Sequence, residues 1–526
     1  MLHTVVTNDM TRLIVHYTPD VAPLMPLLTD CQTFEFEGET FISCDWTAAN
    51  CGVLYSKLTE YVRGPAFDGP HFTGRFTPRP EQRLTVDLFT QNRRFYCFNG
   101  LGTGKTASAI WAAEYLRAIG VVRRVLIVST LSTLKQVWER ELQNVCPHRS
   151  RVIVRGTRDE RAKRIASGAD YTIINHDGVK STFDALMKGN FDLVILDEAT
   201  VYRNDTTERS KATRQLCENK WCWALTATPR PRSSMDAWGL GRLVNPSKLP
   251  KSKIAFQSAT MVQVNDFVWV DRPNAMDIVL QVLNPSIRIK TEDCVSLPET
   301  SYLDFEVPLT KAQADARKQI IDQFVYTLNQ TPGQTVSITN ASDVRNKVLQ
   351  AAEGVVKIGD DEFDQLDYST SLDVLVNMIE QAEGKVLVFA NFRGTVRRLV
   401  ADLGKEFGPD AVAMAIGGQG SGRDTEIDRF SNHPACRILV ATPKTMAHGL
   451  NLTMVNVTIW FGVTSDAETY EQANARMRRP GQTRRMIVIH LLRCPEDHAS
   501  LKVCQGRVDY QNDLLDMVGE YTRGHY

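Results

Sequence analysis

Residues 95–110 read FYCFNGLGTGKTASAI. The apolar run Phe95–Phe98 is that of a short buried strand, a glycine-rich turn follows, and from Lys105 the pattern is that of a helix. Glycines let backbone N–H groups close around phosphate oxygens. A helix beginning at that point adds a favourable dipole. Gly100, Gly102, Thr103 and Gly104 then form a phosphate cradle. Lys105 reaches the β- and γ-phosphates, and the Thr106 hydroxyl holds magnesium. The strict G-x-x-x-x-G-K-[ST] pattern is not met, because Asn99 stands where its first glycine belongs. The competing reading is a glycine-rich turn beside a chance Gly-Lys-Thr, and the flanking strand and helix weigh against it.

Further along, LVILDEAT (Leu193–Thr200) delivers Asp197 and Glu198 to the carboxyl end of a second apolar strand, where ligands bind in such sheets. Asp197 is expected to bind magnesium, directly or through water, and Glu198 to orient and activate an attacking water. An Asp-Glu pair alone is as often a pair of solvated loop acids. Downstream of a phosphate loop it reads as an ATPase site.

The whole chain fits that reading. It has 526 residues, 43% hydrophobic and 23% charged, with 61 basic and 61 acidic side chains. Such a composition is ordinary for a globular protein. The even balance excludes a histone-like basic coat, although a local basic stripe suffices for nucleic acid. The 11 cysteines form no C-x-x-C pair, which argues against a disulfide framework and for a reducing setting. No signal-peptide pattern and no apolar run of about 18 residues are seen. The histidines lack metal-ligand spacing, so magnesium is the one metal expected. Arg123–Arg124, Arg161–Arg164 and Arg397–Arg398 read as solvated faces, and Trp138 and Trp238 as core.

Strand-like and helix-like segments alternate from about Phe76, pause between about Gly239 and Pro298, and resume with KVLVFANF, AVAMAIGG, RILVAT, VTIWFG and MIVIHLL. Two successive blocks of this kind predict an α/β fold with two parallel-sheet domains. Expected boundaries are a small N-terminal α+β domain at 1–74, a first motor domain at 75–245 and a connecting region at 246–298. A second motor domain at 299–494 and a helical tail at 495–526 follow.

In order, these motifs resemble the helicase-like superfamily-two ATPases, in their Swi/Snf-type branch of double-stranded DNA translocases, over residues 76–515. The resemblance implies two tandem RecA-like domains of the P-loop type, with ATP bound between them. FTPRPEQ is similar to the family's adenine-recognising segment and implies Gln82 as base reader. VLIVSTLSTLKQVWEREL implies phosphate contacts from Ser129, Thr130 and Ser132. TATPRPRSSMDAW is similar to the motif that couples hydrolysis to domain movement. GKVLVFANFR resembles the fourth motif, with Asn391 and Arg393 on nucleic acid. RILVATPKTMAHGLNLT resembles the fifth, with Thr442 and Lys444 on nucleic acid and Gly449 and Asn451 near the nucleotide. YEQANARMRRPGQ is the most specific segment. It implies Gln472 near the nucleotide and Arg476 and Arg479 stabilising the transferring phosphoryl group. Arg478 departs from the family's frequent histidine. The tail resembles a brace that packs back onto the first motor domain.

The resemblance implies ATP and magnesium as cofactors and duplex or branched DNA as partner, bound largely without regard to sequence. Small phage proteins and annealing helicases are the most similar members. These point to fork remodelling, branch migration or annealing, to replication or recombination proteins as further partners, and to a host-cytoplasm, nucleoid-associated setting. A strand-separating DNA or RNA helicase, an inactive nucleic-acid scaffold and a motor subunit of a defence complex are the alternatives.

Overall fold

The computed structural model describes residues 4–58, 61–68, 77–131, 133–227, 233–265, 268–294, 298–323, 325–327, 335–337, 341–358, 362–418, 421–446, 452–479 and 481–506. The chain parts into two compact units after Cys294.

The first unit opens with four antiparallel strands, β1 (Thr4–Val6), β2 (Arg12–His16), β3 (Gln32–Phe36) and β4 (Glu39–Asp45), in the spatial order β1-β2-β4-β3. The two-residue alternation of these strands sends Leu13, Val15, Ile42 and Cys44 inward. β3 and β4 are joined by Glu37 and Gly38, whose φ values of 49° and 82° give the turn that matches the twist of a hairpin. The helix Ala48–Leu58 covers the inner face with Cys51 and Leu54. Its neighbouring stripe, Ala48 and Tyr55, enters the core of the next sheet. The segment expected to be a separate N-terminal domain therefore shares a helix with the motor.

That next sheet has seven parallel strands. β5 (Arg94–Cys97), β6 (Val125–Ser129), β7 (Arg151–Ile153), β8 (Tyr171–Asn175), β9 (Leu193–Asp197) and β10 (Trp221–Leu225) are followed by a hairpin of β11 (Met261–Asn265) and β12 (Val268–Asp271) and then by β13 (Ser286–Ile287). The order is β13-β5-β10-β9-β6-β8-β7. Val125–Val128 and Leu193–Leu196 are wholly buried, which is why these strands read as unbroken apolar runs rather than alternating ones. Residues 246–294, expected to be a connector, belong to this unit. β13 pairs in parallel with β5, and Phe256, Val279 and Val282 of the helices Lys253–Thr260 and Ala275–Val282 join its core.

The second unit starts with β14 (Thr300–Glu306). The short hairpins β15 (Val325–Thr327) with β16 (Thr335–Ser337) and β17 (Val355–Lys357) with β18 (Phe363–Gln365) come next. β19 (Lys385–Phe389), β20 (Val412–Ala415), β21 (Ile438–Ala441), β22 (Val455–Trp460) and β23 (Met486–Leu492) complete a six-stranded parallel sheet ordered β14-β23-β22-β19-β21-β20. Each expected strand of the second block is present. The tail is helical over residues 495–506 and buries Leu501 and Cys504 in the core of this same unit. Residues 507–526, the rest of the tail expected to act as a brace, lie outside the described residues. No described helix is long and apolar enough to cross a membrane.

Candidate active site

At the carboxyl end of β5 the chain enters the glycine loop, and Lys105 begins the helix Lys105–Ala118. Gly102 and Gly104 hold φ values of 80° and 86°, left-handed conformations that cost other residues about 1 kcal/mol or more. A β-carbon at Gly104 would also collide with Gln82 Nε2. Gln82 sits in the first turn of the helix Pro80–Gln91, where its Oε1 accepts the Arg79 N–H at 3.0 Å. The Arg79 guanidinium donates to the Thr103 carbonyl at 2.9 Å. The segment expected to recognise the base is therefore seated on the loop expected to hold the phosphates. Arg79, which the sequence reading passed over, is its clamp.

Asn99, the departure from the strict pattern, is buried and bridges two elements. Its amide donates to Thr85 Oγ1 at 2.9 Å, and its Oδ1 accepts the Ile289 N–H at 2.9 Å. Beyond β13 the chain keeps running alongside the loop. Gly100 N–H donates to the Ile289 carbonyl at 2.8 Å, and the Thr291 hydroxyl to the Leu101 carbonyl at 2.8 Å. These contacts explain the side chain at position 99: a glycine there would untie the loop from both neighbours.

The Lys105 ammonium donates to the carbonyls of Asn99 and Gly100 at 2.6 and 2.9 Å. Burial draws its pKa below the ordinary lysine value, while Cys97, Glu198 and Asp197 oppose that shift. The two carboxylates come from the end of β9. Asp197 Oδ2 accepts the Ser129 hydroxyl at 2.7 Å and the Trp138 indole N–H at 2.8 Å, and its Oδ1 accepts the Glu198 N–H at 3.1 Å. Trp138 is carried by a π-helical turn, Leu134–Glu139. Such turns recur at functional sites because they re-aim one side chain out of register. Glu198 adopts φ 49° and ψ 51°, the left-handed region again. Backbone strain of this kind is tolerated where the surroundings over-determine it, as at a catalytic position.

Ser129 does not face solvent. It is completely buried, and its hydroxyl is shared between Asp197 and Thr133, which corrects its expected role as a phosphate contact. Thr130 is half-buried, with its hydroxyl 3.0 Å from that of Thr133. Ser132 lies outside the described residues, as do residues 228–232 of TATPRPRSSMDAW. The basic clusters are also tied in. Arg124 donates to the Ala169 and Ile165 carbonyls, Arg164 to that of Ile153, and Arg398 to those of Gly354 and Leu366.

The residues present fit ATP with magnesium. The glycine loop carries the half-buried Lys105 ammonium, and a hydroxyl (Thr106) and a carboxylate (Asp197) are the oxygen donors this hard cation takes. No cluster of three or more His, Cys, Asp or Glu occurs among the described residues.

In the second unit Asn391, Arg393, Thr442 and Lys444 follow the carboxyl ends of the adjacent parallel strands β19 and β21. Arg393 and Lys444 are exposed. Asn391 is engaged otherwise than expected: its amide donates to Glu353 Oε1 at 3.0 Å and to the Val463 carbonyl at 3.1 Å. Gln472 is buried in the helix Ala467–Asn474. Arg476 is buried too, its Nε donating to the Gln472 carbonyl at 2.9 Å. Arg479 is half-buried, and its Nε has no hydrogen-bond partner. The two arginines expected to act alike are thus placed differently. Gln482 ties the segment down by donating to the Val455 carbonyl at 2.8 Å. Gly449 and Asn451 lie outside the described residues.

Two segments of the chain match known families. Residues 97–353 match the SNF2-related domain and residues 370–481 the helicase conserved C-terminal domain. An uncharacterized ATP-dependent helicase of Mycoplasma genitalium is 23% identical over 80% of this chain and 39% of its own length. Protein p41 of Acyrthosiphon pisum secondary endosymbiont phage 1 is 24% identical over 79% of this chain and 93% of its own. The Sulfolobus solfataricus SWI2/SNF2 ATPase core in complex with dsDNA aligns with a TM-score of 0.42 at 21% identity, covering 86% of this chain and 96% of that one. The chain spans about two fifths of the Mycoplasma relative. With both domain signatures in order on two parallel sheets, the chain belongs to the SNF2-type branch of the superfamily-two helicase-like ATPases.

Proposed function

We propose that this protein is an ATP-hydrolysing motor that translocates along double-stranded or branched DNA. The observation that supports the reading best is the meeting, at the carboxyl ends of β5 and β9, of the Lys105 cradle with Asp197 and Glu198. Lys105 exchanges its two carbonyl partners for phosphate oxygens when nucleotide enters. Asp197, fixed by Ser129 and Trp138, and Thr106 would hold magnesium, which would supply charge neutralisation for the phosphates. Glu198 positions the attacking water and takes its proton. Arg479 is assigned the stabilisation of charge on the transferring phosphoryl group, while Arg476 shapes the segment that carries it. Arg393, Lys444 and Thr442 contact DNA phosphates, so binding is independent of sequence and falls steeply with salt. Fork remodelling, branch migration or annealing, alongside replication or recombination proteins, is the setting we assign.

The test is ATP turnover by the purified protein alone, then with single-stranded DNA, duplex DNA, forked DNA or RNA. Strong stimulation by duplex or forked DNA, abolished in Lys105→Ala and Glu198→Gln, is the expected result. Stimulation by single strands or RNA alone replaces the reading with a strand-separating helicase. Wild-type turnover in either variant overturns the site.

A further inference from the structure

Among the described residues, the helix Ala48–Leu58 covers one face of the N-terminal sheet. On the other, register places Phe34 opposite Phe41 and Phe41 opposite His16, and Val5 opposite Ile14. Phe34 and Phe41 stack at 5.7 Å and 25°, and His16 meets Phe41 edge-on at 5.3 Å. This row is open to water: Phe36 is 59% exposed, Val5 55% and Phe34 37%. Every residue of β3 is exposed. Among the described residues β3 pairs with β4 alone, so one of its edges is unpaired. The two-residue turn at Glu37–Gly38 makes Phe36 and Glu39 a hydrogen-bonded pair. By alternation Thr33 and Glu35 then turn their N–H and C=O groups to the open edge. Such an edge is normally blunted by a lysine, a proline or a cover, and β3 has no lysine or proline.

The charge around this face has one sign. Between residues 4 and 47 one arginine, Arg12, and no lysine stand against seven carboxylates, Asp9, Asp20, Asp30, Glu35, Glu37, Glu39 and Asp45, of which Glu39 lies 3.3 Å from the His16 imidazole. Arg12 is itself paired with Asp30 and Asp45. Aromatic side chains on an open sheet are also a stacking platform for unpaired bases, but a polyanion would meet this acidic rim at close range. A second copy of the chain pairing edge to edge would bring two acidic hairpins together. An extended protein segment alternating basic and apolar residues satisfies all three features: backbone pairing along β3, apolar side chains on Phe34 and Phe36, and cations beside Glu35, Glu37 and Glu39.

We propose that β3 and the aromatic face beside it form a docking site for a basic, extended segment of a partner protein. The site is remote in chemistry from the nucleotide loop and does not depend on the motor's substrate.

The experiment uses the full-length protein and a short fluorescent peptide of alternating lysine and valine, with a glutamate–valine peptide and a single-stranded oligonucleotide as comparison probes. Three variants are made: Phe34→Ser with Phe36→Ser; Glu35→Lys with Glu37→Lys and Glu39→Lys; and Thr33→Pro, which removes an outward N–H and leaves the ladder to β4 intact. The lysine–valine peptide is expected to bind the wild type, more weakly as salt rises. It should lose roughly tenfold or more in affinity in each variant, with ATP turnover and far-ultraviolet circular dichroism unchanged. Absence of binding to the wild type, or equal binding to wild type and variants, overturns the proposal. Oligonucleotide binding that is lost in the phenylalanine variant also overturns it and makes the face a nucleic-acid platform.

Discussion

Trp138 donates its indole N–H to Asp197 at 2.8 Å, from a π-helical turn 59 residues earlier in the chain. The carboxylate expected to hold the metal is thus aimed by a residue that reads as plain core. Together with Ser129 it fixes Oδ2 of Asp197, while Oδ1 accepts the Glu198 N–H.

Trp138→Phe keeps the ring and removes the donor. Asp197 is half-buried and loses one of the two donors to Oδ2; a hydrogen bond to a charged group contributes about 1.5–3 kcal/mol. The expected outcome is a several-fold higher requirement for magnesium in ATP turnover, with near-native circular dichroism. A magnesium titration of the turnover rate checks it, and an unchanged half-saturation point refutes the positioning role.

Asn99→Gly restores the strict phosphate-loop pattern and should nevertheless harm the protein. It deletes the bonds to Thr85 and Ile289. Their loss should lower unfolding stability by about 1–3 kcal/mol, with no gain in turnover. Denaturant melts paired with ATPase assays decide the matter; faster turnover at equal stability would contradict the bridging role.

Gly104→Ala places a side chain at φ 86° against Gln82. Turnover should fall at least tenfold through nucleotide affinity, read by titration with a fluorescent ATP analogue. Gln82→Ala beside it should partly relieve the collision but not the backbone cost.

Stability should fall as pH rises toward neutrality. Burial lifts the carboxyl of Asp87 to about 7, against opposing hydrogen bonds from Gly64 and Tyr61. Burial likewise lifts Glu353 to about 7. Each native group keeps its proton to higher pH than the unfolded chain does. The stabilisation is therefore complete below the ordinary carboxyl pKa and is lost as pH climbs through 7, at about 1.4 kcal/mol per unit for each proton. Asp87→Asn should flatten this slope for the first unit. Denaturant midpoints at several pH values test it, and identical slopes in wild type and variant would exclude Asp87.

The parallel strands were legible because burial on both faces leaves an uninterrupted apolar signature, and the helix Lys105–Ala118 because the loop before it fixes its start. β13 was not, since its two residues acquire meaning only by pairing with β5. β7, three half-buried residues at the sheet edge, gives no apolar run either. Within the site, residue type announced Lys105, Asp197 and Glu198, whose chemistry is peculiar to them. It could not separate Ser129 from a surface serine, or Arg476 from Arg479, because burial is decided by neighbours far away in the chain. The bonds from Arg79 and Asn99 belong to the same class.

The helix Ala48–Leu58 has one flank in each of two cores. An enzyme truncated before residue 75 would therefore lose Ala48 and Tyr55 from the motor's interior and leave an oily scar beside the phosphate-loop helix. The leading sheet is a keystone rather than an appendage. A truncated protein that precipitates would reveal nothing about recognition, and single-site surface changes such as those on β3 are the tools that separate what this module binds from what it props up.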